Sequence, residues 1–417
     1  MELAIRNPVA TEEIDAWSRA ATTSLLGNPY DDDFRRSNVW RRNTLVPERV
    51  WGAQDRGRWV ATLATQPRRL TVPGADGLTN DLNVDAVTGV GVSATHRRRG
   101  LLRRMITDSL SYAHAHDEPL SMLIAAEWPI YGRYGYAPAV WSADYIYRPR
   151  DRGAAVAGDP ATMRQIDPPE VVELAPAIFD AFRTTRAGQV DRSAEWWARR
   201  VGQGGYEPST QERSHWFVHD GPSGPDGLLS WKVTRSFDLK GNLGAIAVED
   251  LATASDTAYR DMVAYLSGID VISEIALPER AVDEPLRWLL DDGRALKQSF
   301  TGDWVWIRLL DTAAALAART YSAEGRLVID VDDTDGAGYG AGRFMLDGSP
   351  AGATCSTTTR SADLRISQRA LASAYLGGLS LRSRLIAGGI EEITTGALGR
   401  LDAMLRTPLA PSNCTGF

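Results

Sequence analysis

Residues 96–105, HRRRGLLRRM, place five arginines around a single glycine in a chain that is acidic overall. After Gly100, the apolar residues Leu102, Met105 and Ile106 recur at the spacing of one helix face. The preceding stretch LNVDAVTGVGVS is rich in valine and predicts a strand, so the arginines lie on a strand-to-helix turn. The first N–H groups of a helix have no intrahelical partners and bind phosphate well. The turn is therefore predicted to hold a phosphate-bearing anion, and Gly100 lets it approach the backbone closely.

A solvated basic helix start without any ligand is the alternative interpretation of this turn. Positive charge at a helix N-terminus opposes the helix dipole, so arginines clustered there favour an anion that offsets the repulsion. The chain has neither the G-x-x-x-x-G-K-[ST] loop of Walker type nor a G-x-G-x-x-G dinucleotide turn. We therefore expect the arginine turn to bind its anion differently from those two motifs.

Composition narrows the class of protein to which the turn belongs. The chain has 417 residues, 43% hydrophobic and 24% charged, which is ordinary for a soluble globular protein of two or three domains. Its net charge of −7 argues against an extended nucleic-acid surface. The two cysteines, Cys355 and Cys414, exclude a disulfide framework and fit a reducing cytosol. Because the N-terminus lacks a secretory pattern and no apolar run reaches about 18 residues, we expect a cytoplasmic protein without membrane contact.

The elements that position the turn are predicted to form three units. Residues 1–150 are predicted to form a helix, the strands RWVATLATQ and RLTVP joined by a turn, the valine-rich strand, the arginine turn with its helix, and the strand LSMLIAA. After a predicted linker at 150–160, the same order of elements recurs in 161–298, which indicates a degenerate duplication. That second copy has lost the arginines and the glycine of the turn. Residues 299–417 are predicted to form a third, small α+β unit.

The segment VGVSATHRRRGLLRRM resembles the pyrophosphate-binding segment of GNAT acetyltransferases, whose usual pattern is Arg/Gln-x-x-Gly-x-Gly/Ala. Here it is Arg97-x-x-Gly100-x-Leu102, and the leucine in the last position is similar to the Eis-like branch of that family. Two GNAT-like units, only one with the cofactor loop, and a C-terminal sterol-carrier-like unit resemble the same branch over essentially the full length. The resemblance implies an α/β (α+β) fold of tandem GNAT-like mixed sheets with helices, and acetyl-CoA as the cosubstrate.

The resemblance also implies which residues hold acetyl-CoA. The backbone of Val90, Gly91 and Val92 would pair with the pantetheine arm, and Ala126 and Glu127 would line the same site. The pyrophosphate would lie against the turn, whose matching residues are Arg98, Arg99, Gly100, Leu101, Leu102 and Arg103. No metal is expected, because DVDDTDG at 330–336 lacks the spacing and the final glutamate of a calcium loop and is predicted to be a turn.

The segment AAEWPIYGRYGYAP contains Tyr131-x-x-x-Gly135-Tyr136, which resembles the tyrosine signature after the cofactor strand of GNAT enzymes. When an amine attacks the acetyl thioester, coenzyme A leaves as a thiolate. Since a thiol has a pKa of about 8.5 and a tyrosine of about 10, a positioned phenol can hydrogen-bond to the sulfur and protonate it. The resemblance selects Tyr131 for this role, with Tyr134 and Tyr136 supporting the turn. An aromatic turn that only fills a core is the alternative.

The last residue, Phe417, is the candidate base that takes the proton of the amine. In Eis-like enzymes this base is the C-terminal carboxylate, so the resemblance implies that the chain end is threaded into the active site. A terminal carboxylate has a pKa of about 3.5 and is a weak base unless it is desolvated or acts through water. A disordered tail, which is common at chain ends, is the alternative.

Two further patterns leave alternatives open. Asp31–Asp33, in NPYDDDF, could steer a polycationic amine toward the cleft or could form only a solvated loop. Trp196 and Trp197 are candidates for either a cleft wall or a core.

The resemblance implies an acetyl-CoA-dependent N-acetyltransferase of primary amines. Its acceptor would be aminoglycoside-like, polyamine-like or a lysine side chain, with direct transfer in a ternary complex. A non-catalytic acyl-CoA or lipid-binding sensor protein is the alternative. The resemblance also implies a homo-oligomer, a hexamer, with a small-molecule amine as partner and no nucleic acid or membrane.

Overall fold

The computed structural model describes residues 3–151, 157–203, 214–333 and 338–417. These residues form two seven-stranded sheets and one five-stranded sheet, and helices pack against each of them. The sheets follow the order of the three predicted units, although the chain passes between them more often than predicted. The predicted linker at 150–160 lies partly outside the described residues.

Six helices begin at a serine or aspartate whose side chain accepts a hydrogen bond from a backbone N–H of the first turn, which is how such residues favour helix starts. The α-helices of the described residues are α1 (Ile14–Ser24), α2 (Asp32–Thr44), α3 (Leu101–Ala115), α4 (Trp128–Tyr131), α5 (Pro168–Arg183), α6 (Ala194–Val201), α7 (Asp256–Ser267), α8 (Thr312–Ala317), α9 (Gln368–Ala374), α10 (Leu381–Ile386) and α11 (Ala397–Leu405).

The strands of the described residues are β1 (Ile5–Arg6), β2 (Val50–Asp55), β3 (Arg58–Pro73), β4 (Thr79–Val92), β5 (Leu120–Ile124), β6 (Ala137–Pro138), β7 (Trp141–Tyr147), β8 (Met163–Ile166), β9 (His215–Gly221), β10 (Gly224–Arg235), β11 (Gly244–Thr253), β12 (Ile272–Ala281), β13 (Leu296–Asp303), β14 (Val305–Leu309), β15 (Gly325–Asp332), β16 (Gly342–Ser349), β17 (Gly352–Thr357), β18 (Leu364–Ser367) and β19 (Ile390–Glu392). The sheet orders are β1-β2-β3-β4-β5-β14-β6, β13-β7-β12-β11-β10-β9-β8 and β17-β16-β15-β18-β19.

Strand β3 corrects the prediction of two strands joined by a turn. It runs without a break for 16 residues and pairs with β4 from Ala61, opposite Val92, to Pro73, opposite Thr79. The predicted turn lies between these two segments, at residues 67–68, where Pro67 cannot donate a backbone hydrogen bond. Because the pairing of β2 with β3 ends at Ala64, Pro67 lies where β3 has lost that neighbour and needs no donor on that side.

Two strands lie in sheets other than those of their predicted units. Strand β7 lies within the predicted unit 1–150, yet it pairs with β12 and β13 in the second sheet. Strand β14 lies within the predicted unit 299–417, yet it fills the position between β5 and β6 in the first sheet. The first and second sheets therefore each contain a strand from another predicted unit. The division of the chain into domains at 1–150, 161–298 and 299–417 stays a prediction.

One buried cluster joins the first sheet to the third. It contains Val84 and Ala86 of β4, Ile307 of β14, and Ile329 and Leu364 of the third sheet, all without solvent exposure. Burial of such side chains contributes on the order of 1.5–3 kcal/mol each relative to an exposed position. The third unit is therefore packed directly beneath the strands that border the predicted cofactor site.

In the second sheet, a buried histidine lies between two carboxylates. His219 Nδ1 contacts Asp226, and its Nε2 lies 2.9 Å from Asp261 Oδ2. Burial alone would lower the pKa of His219, but the hydrogen bonds to Asp226 and Asp261 outweigh it and raise the pKa. The charged form of His219 therefore stabilises the fold.

We expect His219→Gln to lower the free energy of unfolding by about 1–3 kcal/mol at pH 6. Because the pKa of His219 is raised in the folded state, its stabilisation is complete below the unfolded pKa of about 6.5 and is lost as the pH rises through the folded value. Denaturant unfolding of wild type and variant between pH 6 and 9 checks this, with the exposed His215 on the same strand replaced as control. A difference that grows with pH would contradict the assignment.

Candidate active site

A gap opens between β4 and β5 in the first sheet. The two strands pair in parallel from Val84, opposite Leu120, to Ala86, opposite Met122. Within the described residues this pairing ends there, although β4 continues to Val92. The backbone edge of β4 beyond Ala86 therefore faces an opening. An extended ligand needs such an opening to form hydrogen bonds with the backbone of the strand.

Two glycines shape the far end of β4. Gly89 has a φ of +60° at a shift in the register of β3 and β4, and its carbonyl accepts a hydrogen bond from Thr62 Oγ1 at 2.9 Å. A Cβ at Gly89 would come within 2.7 Å of the Trp17 ring, and one at Gly91 within 2.6 Å of Ser24 Cβ. Helix α1 thus packs against β4 so closely that only glycine fits at these positions. The bulge twists the backbone of residues 90–92, the predicted pantetheine-pairing segment, at the edge of the gap.

The arginine turn connects β4 to the start of α3. Arg98 and Gly100 both have left-handed backbones, with φ of +63° and +74°. Gly100 is the N-cap of α3, and no side chain of the described residues caps this helix. A Cβ at Gly100 would meet nothing within 4 Å, so the space in front of the turn is open. The uncapped N–H groups at the helix start therefore suit an anion.

The side chains of the turn divide between its outer and inner surfaces. Arg97, Arg98, Arg99 and Arg103 are exposed, while Leu101 is buried and Leu102 half-buried against the core under α3. The backbone is held by two of the arginines: Arg97 Nε donates to the Val92 carbonyl at 3.4 Å and Arg99 Nη2 to the Thr95 carbonyl at 3.1 Å. The apolar side chains anchor the helix, and four guanidinium groups stay at the surface to meet negative charge.

Ala126 and Glu127 lie just beyond the carboxyl end of β5, the strand on the other side of the gap from β4. Both are exposed, and Glu127 is the N-cap residue of the short helix α4. The structure therefore brings the predicted residues of both strands and of the turn to one end of the first sheet.

Tyr131 is the last residue of α4 and only 6% exposed. Burial, together with the nearby Glu127 and Tyr134, raises the pKa of Tyr131 to about 12. Its ring meets the ring of Tyr136 edge-on, with centroids 6.3 Å apart. Tyr131 therefore stays protonated at neutral pH and is available as a hydrogen-bond donor.

The chain end reaches the same sheet. Thr88 Oγ1, on the edge of β4 that borders the gap, donates to the terminal oxygen of Phe417 at 3.3 Å. The Phe417 ring is half-buried against the cluster shared by the first and third sheets. The carboxyl group of the last residue is thereby placed beside the gap, two residues from the predicted pantetheine-pairing segment.

The last residues are held by the segment 187–192 of the second unit, which sequence reasoning did not single out. Arg192 donates to Thr415 Oγ1 at 3.1 Å and to the Cys414 carbonyl at 3.0 Å, and it is paired with the buried Asp250. The neighbouring contacts are Ser412 N to Ala187 O, Gln189 Nε2 to Ser412 Oγ, and Val190 N to Asn413 Oδ1. No local pattern could have revealed these bonds, since their partners are more than 200 positions apart.

Trp196 and Trp197, each predicted to belong to either a cleft wall or a core, lie in different surroundings. Trp197 is buried in the core of the second unit beside Phe179. The guanidinium of Arg192 lies 3.9 Å from the centre of the Trp196 ring, so Trp196 supports the arginine that holds the chain end.

The acidic segments have structural contacts where they are described. Asp31 caps α2 by accepting from Phe34 N at 2.8 Å, so this stretch begins a helix instead of forming a solvated loop. The side chains of Asp32 and Asp33 lie outside the described residues. The predicted turn at 330–336 is wrong for residues 330–332, which are the last residues of β15. Asp333 forms a buried ion pair with Arg308 at 2.7 Å, and residues 334–337 are not described.

The second sheet keeps a gap at the corresponding place. Strands β11 and β12 pair in parallel only from Gly244, opposite Ile272, to Ala247, opposite Ala276, while β11 continues to Thr253. A cavity of about 620 Å³ lies there, bordered by the ends of both strands, the start of α7 and the segment 412–414.

The chemistry of this second gap differs from that of the first. The Ser255 side chain caps α7, so a backbone N–H of its first turn already has a hydrogen-bond partner. The carboxylate of Asp256 in the same turn repels an anion. Arg280 Nη1 donates to the Leu251 carbonyl at 3.2 Å and is paired with Glu284, which puts a side chain against the edge of β11. The second sheet therefore retains the gap, and the start of α7 differs from the arginine turn of α3. The absence of an anion site from the second unit stays a prediction.

Three family models match successive parts of the chain. Residues 5–139 and, separately, residues 188–309 match models described as an acetyltransferase (GNAT) domain. Residues 312–413 match a sterol carrier protein domain.

Similar proteins extend over nearly the same length. An uncharacterized N-acetyltransferase of Streptomyces griseus is 38% identical over 428 residues, with 99% of both chains covered. N-acetyltransferase Eis of Mycobacterium tuberculosis is 29% identical over 343 residues, with 80% of both chains covered. The crystal structure of Eis1 from Mycobacterium abscessus matches with a TM-score of 0.84 and 29% identity, covering 99% of this chain and 100% of that one.

Fold and site together define an acetyltransferase of the GNAT class. The chain belongs to the GNAT N-acetyltransferase family, and its two GNAT domains with a sterol-carrier-like C-terminal domain are those of the Eis-like branch. The predicted family, fold class and enzyme class are confirmed.

Acetyltransferases of the GNAT family use acetyl-CoA as the acetyl donor. The open turn at Gly100, the uncapped start of α3 and the free edge of β4 fit that molecule. In the described part of the chain, no group of three or more His, Cys, Asp or Glu side chains is arranged to hold a metal. Among the helices of the described residues, none combines the length and apolar character of a membrane span.

Proposed function

We propose that this chain transfers the acetyl group of acetyl-CoA directly to a primary amine, with both substrates bound together. The observation that carries the proposal is the Phe417 carboxyl group beside Thr88, on the strand that borders the gap. It puts a proton acceptor at the sheet that also carries the arginine turn, while Tyr131 supplies a proton donor nearby in the same unit.

The proposed site residues have two roles, substrate binding and proton transfer. The backbone of Val90–Val92 pairs with the pantetheine arm, the turn from Arg98 to Arg103 holds the pyrophosphate, and Ala126 and Glu127 line the opposite side. Acetyl-CoA supplies the thioester. As the amine nitrogen bonds to the acetyl carbon and the C–S bond breaks, Phe417 takes the amine proton and Tyr131 donates to the leaving sulfur.

The acceptor is a small-molecule amine of aminoglycoside or polyamine type, or a lysine side chain. The net charge of −7 supports a cationic acceptor through long-range attraction. A screen of such amines with acetyl-CoA, detecting released thiol, tests this: turnover with none of them, while coenzyme A still binds, would overturn the proposed activity. We also predict that the protein is a homohexamer and that it is located in the cytoplasm. Light scattering checks the oligomeric state.

The third unit supports the enzyme over the lipid-binding alternative. Leu327, Ile329, Leu346, Leu371 and Tyr375 are buried in one cluster, so side chains occupy the interior between its sheet and helices. A lipid-binding sensor would need that space for an acyl chain.

We expect coenzyme A to bind once per chain, because the start of α7 carries Ser255 and Asp256 where α3 has its arginine turn. Replacing Arg98 and Arg103 together with alanine should weaken binding at least about tenfold, since each charged hydrogen bond to phosphate contributes about 1.5–3 kcal/mol. Calorimetry measures both quantities. Arg260→Ala, in the first half of α7, is the matched control and should leave binding unchanged. A stoichiometry of two, or unchanged binding in the double variant, would show that the anion site lies elsewhere.

A further inference from the structure

A group of buried polar side chains lies at the root of the gap between β4 and β5. We call Arg49, Asp85, Glu118, Ser121 and Tyr136 the Asp85 cluster; each is at most 7% exposed. Asp85 and Ser121 face each other across the two strands, one pair before the last pair at which β4 and β5 still meet. The cluster therefore lies where the gap begins, and the proposed roles of Tyr131 and Phe417 do not use it.

The cluster is charged at one end. Arg49 forms a bidentate pair with Glu118, at 2.8 and 3.1 Å, and lies 3.2 Å from Asp85 Oδ1. Two buried carboxylates thus share one guanidinium. Burial and the neighbouring Glu118 raise the pKa of Asp85 to about 7, against the effects of Ser121, Thr65 and Arg49. Replacement of such groups by apolar ones is often neutral for stability, so stability alone does not explain the cluster.

The other end of the cluster reaches the aromatic turn. Ser121 Oγ donates to Asp85 Oδ2 at 2.9 Å, and it lies 2.7 Å from Tyr136 Oη. When Asp85 is ionised, its carboxylate takes the hydroxyl hydrogen of Ser121, so the Tyr136 phenol donates to Ser121. This chain of two directed hydrogen bonds fixes the ring of Tyr136 at its hydroxyl end.

Tyr136 in turn contacts the proposed proton donor in two ways. Its ring meets the Tyr131 ring edge-on, with centroids 6.3 Å apart and an interplanar angle of 74°. Its backbone N–H donates to the Tyr131 carbonyl at 3.3 Å. The orientation of the Tyr131 phenol therefore depends on a neighbour that is held from the root of the gap.

We propose that Asp85, acting through Ser121 and Tyr136, is a positioning residue for the phenol of Tyr131. This inference rests on the proposed function, in which Tyr131 donates a proton to the leaving sulfur. Loss of the carboxylate frees the Ser121 hydroxyl to rotate and to compete for the Tyr136 oxygen. The Tyr136 ring then loses its fixed tilt, and Tyr131 loses the ring that packs against it.

Three single variants interrupt the chain at successive points: Asp85→Asn, Ser121→Ala and Tyr136→Phe. Each is expected to lower kcat by about three- to tenfold, because small misplacements of a reacting group slow the chemical step. The affinity for coenzyme A, measured by calorimetry, should stay within about twofold, since the binding residues lie on the turn and the outer end of β4. Ser121→Ala and Tyr136→Phe each remove one hydroxyl, so the test stands even if Asp85→Asn fails to fold.

Dependence on Tyr131 separates positioning from general loosening of the fold. Combining any two of the variants should lower kcat no further than one alone, since they break the same chain. In a Tyr131→Phe background, none of them should lower kcat again. In protein labelled with ¹³C at the tyrosine ring, the Tyr131 resonance, assigned by its absence in Tyr131→Phe, should shift in all three variants without substrate present.

Tyr147→Phe is the matched control, because Tyr147, in strand β7 of the second sheet, has its Oη 2.8 Å from Ser267 Oγ and makes the same kind of hydroxyl–hydroxyl bond. It should leave kcat and the Tyr131 resonance unchanged. Wild-type kcat in the folded cluster variants, an unshifted Tyr131 resonance, or full additional losses in the Tyr131→Phe background would overturn the inference. Full turnover of Tyr131→Phe itself would instead overturn the proposed role of Tyr131, so the two failures are distinguishable.

Discussion

A chain extended at its C-terminus by an affinity tag is expected to lose amine acetylation by a factor of at least about one hundred. A general base contributes about 10²- to 10⁴-fold to a rate. The extension converts the Phe417 carboxylate into an amide, which has no comparable basicity. The extension is also expected to displace Phe417 from its position beside Thr88, where its terminal oxygen accepts a hydrogen bond.

Position explains how so weak a base could serve. A terminal carboxylate in water has a pKa of about 3.5, and dry surroundings favour its neutral form and raise that value. The Phe417 ring packs against a buried cluster, and Asn413 and Thr415 are buried while Gly416 is exposed, so protein atoms shield the end of the chain on one side. The hydrogen bonds from segment 187–192 hold residues 412–415, which positions the last residue, so we expect the location of the carboxylate to matter more than the side chain of Phe417.

Turnover with the best acceptor amine, in proteins that melt at the same temperature, is the measurement. An N-terminal tag is the matched control and should be harmless. Phe417→Leu keeps a terminal carboxylate and should retain more activity than a chain that ends at Gly416. If the C-terminally tagged protein turns over at the wild-type rate, the base lies elsewhere.

Tyr131→Phe is expected to lower kcat at least about tenfold while coenzyme A affinity stays nearly intact, because the variant keeps the ring and loses only the donor. With its pKa raised to about 12, Tyr131 is a weaker acid than an ordinary tyrosine. In its proposed role it would therefore act mainly by hydrogen-bonding to the developing thiolate, whose conjugate thiol has a pKa of about 8.5. For the same reason, ionisation of Tyr131 should cause no loss of kcat between pH 8 and 10.

Steady-state kinetics with both substrates, and calorimetry with coenzyme A, check this expectation. Tyr145→Phe, which removes a buried phenol of the second sheet that donates to the backbone carbonyls of Ala281 and Val282, is the control for nonspecific effects. Unchanged turnover in Tyr131→Phe would mean that water or another group protonates the sulfur.

The local structure of the arginine turn could be predicted from the sequence because its parts are neighbours in the chain. A valine-rich strand, a turn with Gly100 and an amphipathic helix follow one another within about 30 residues, and the free N–H groups of a helix start depend only on local backbone geometry. The different residues at the start of α7 in the second copy were visible for the same reason, and the binding of an anion at the arginine turn stays a prediction. The identities of Tyr131 and Phe417 came from a resemblance, since nothing in their local pattern specifies a role.

Contacts between distant segments were decided only by the tertiary structure. The sheets that β7 and β14 join depend on which strand edges remain unpaired, and so does the continuity of β3 through Pro67. The residue pattern of a strand does not specify which other strand it pairs with. The capture of the last residues by Arg192 joins positions more than 200 residues apart. Asp85 and Ser121 look like ordinary strand residues in the sequence. Only the pairing of β4 with β5 brings them together at the root of the gap, because side chains on two strands become neighbours only when the register between those strands is set.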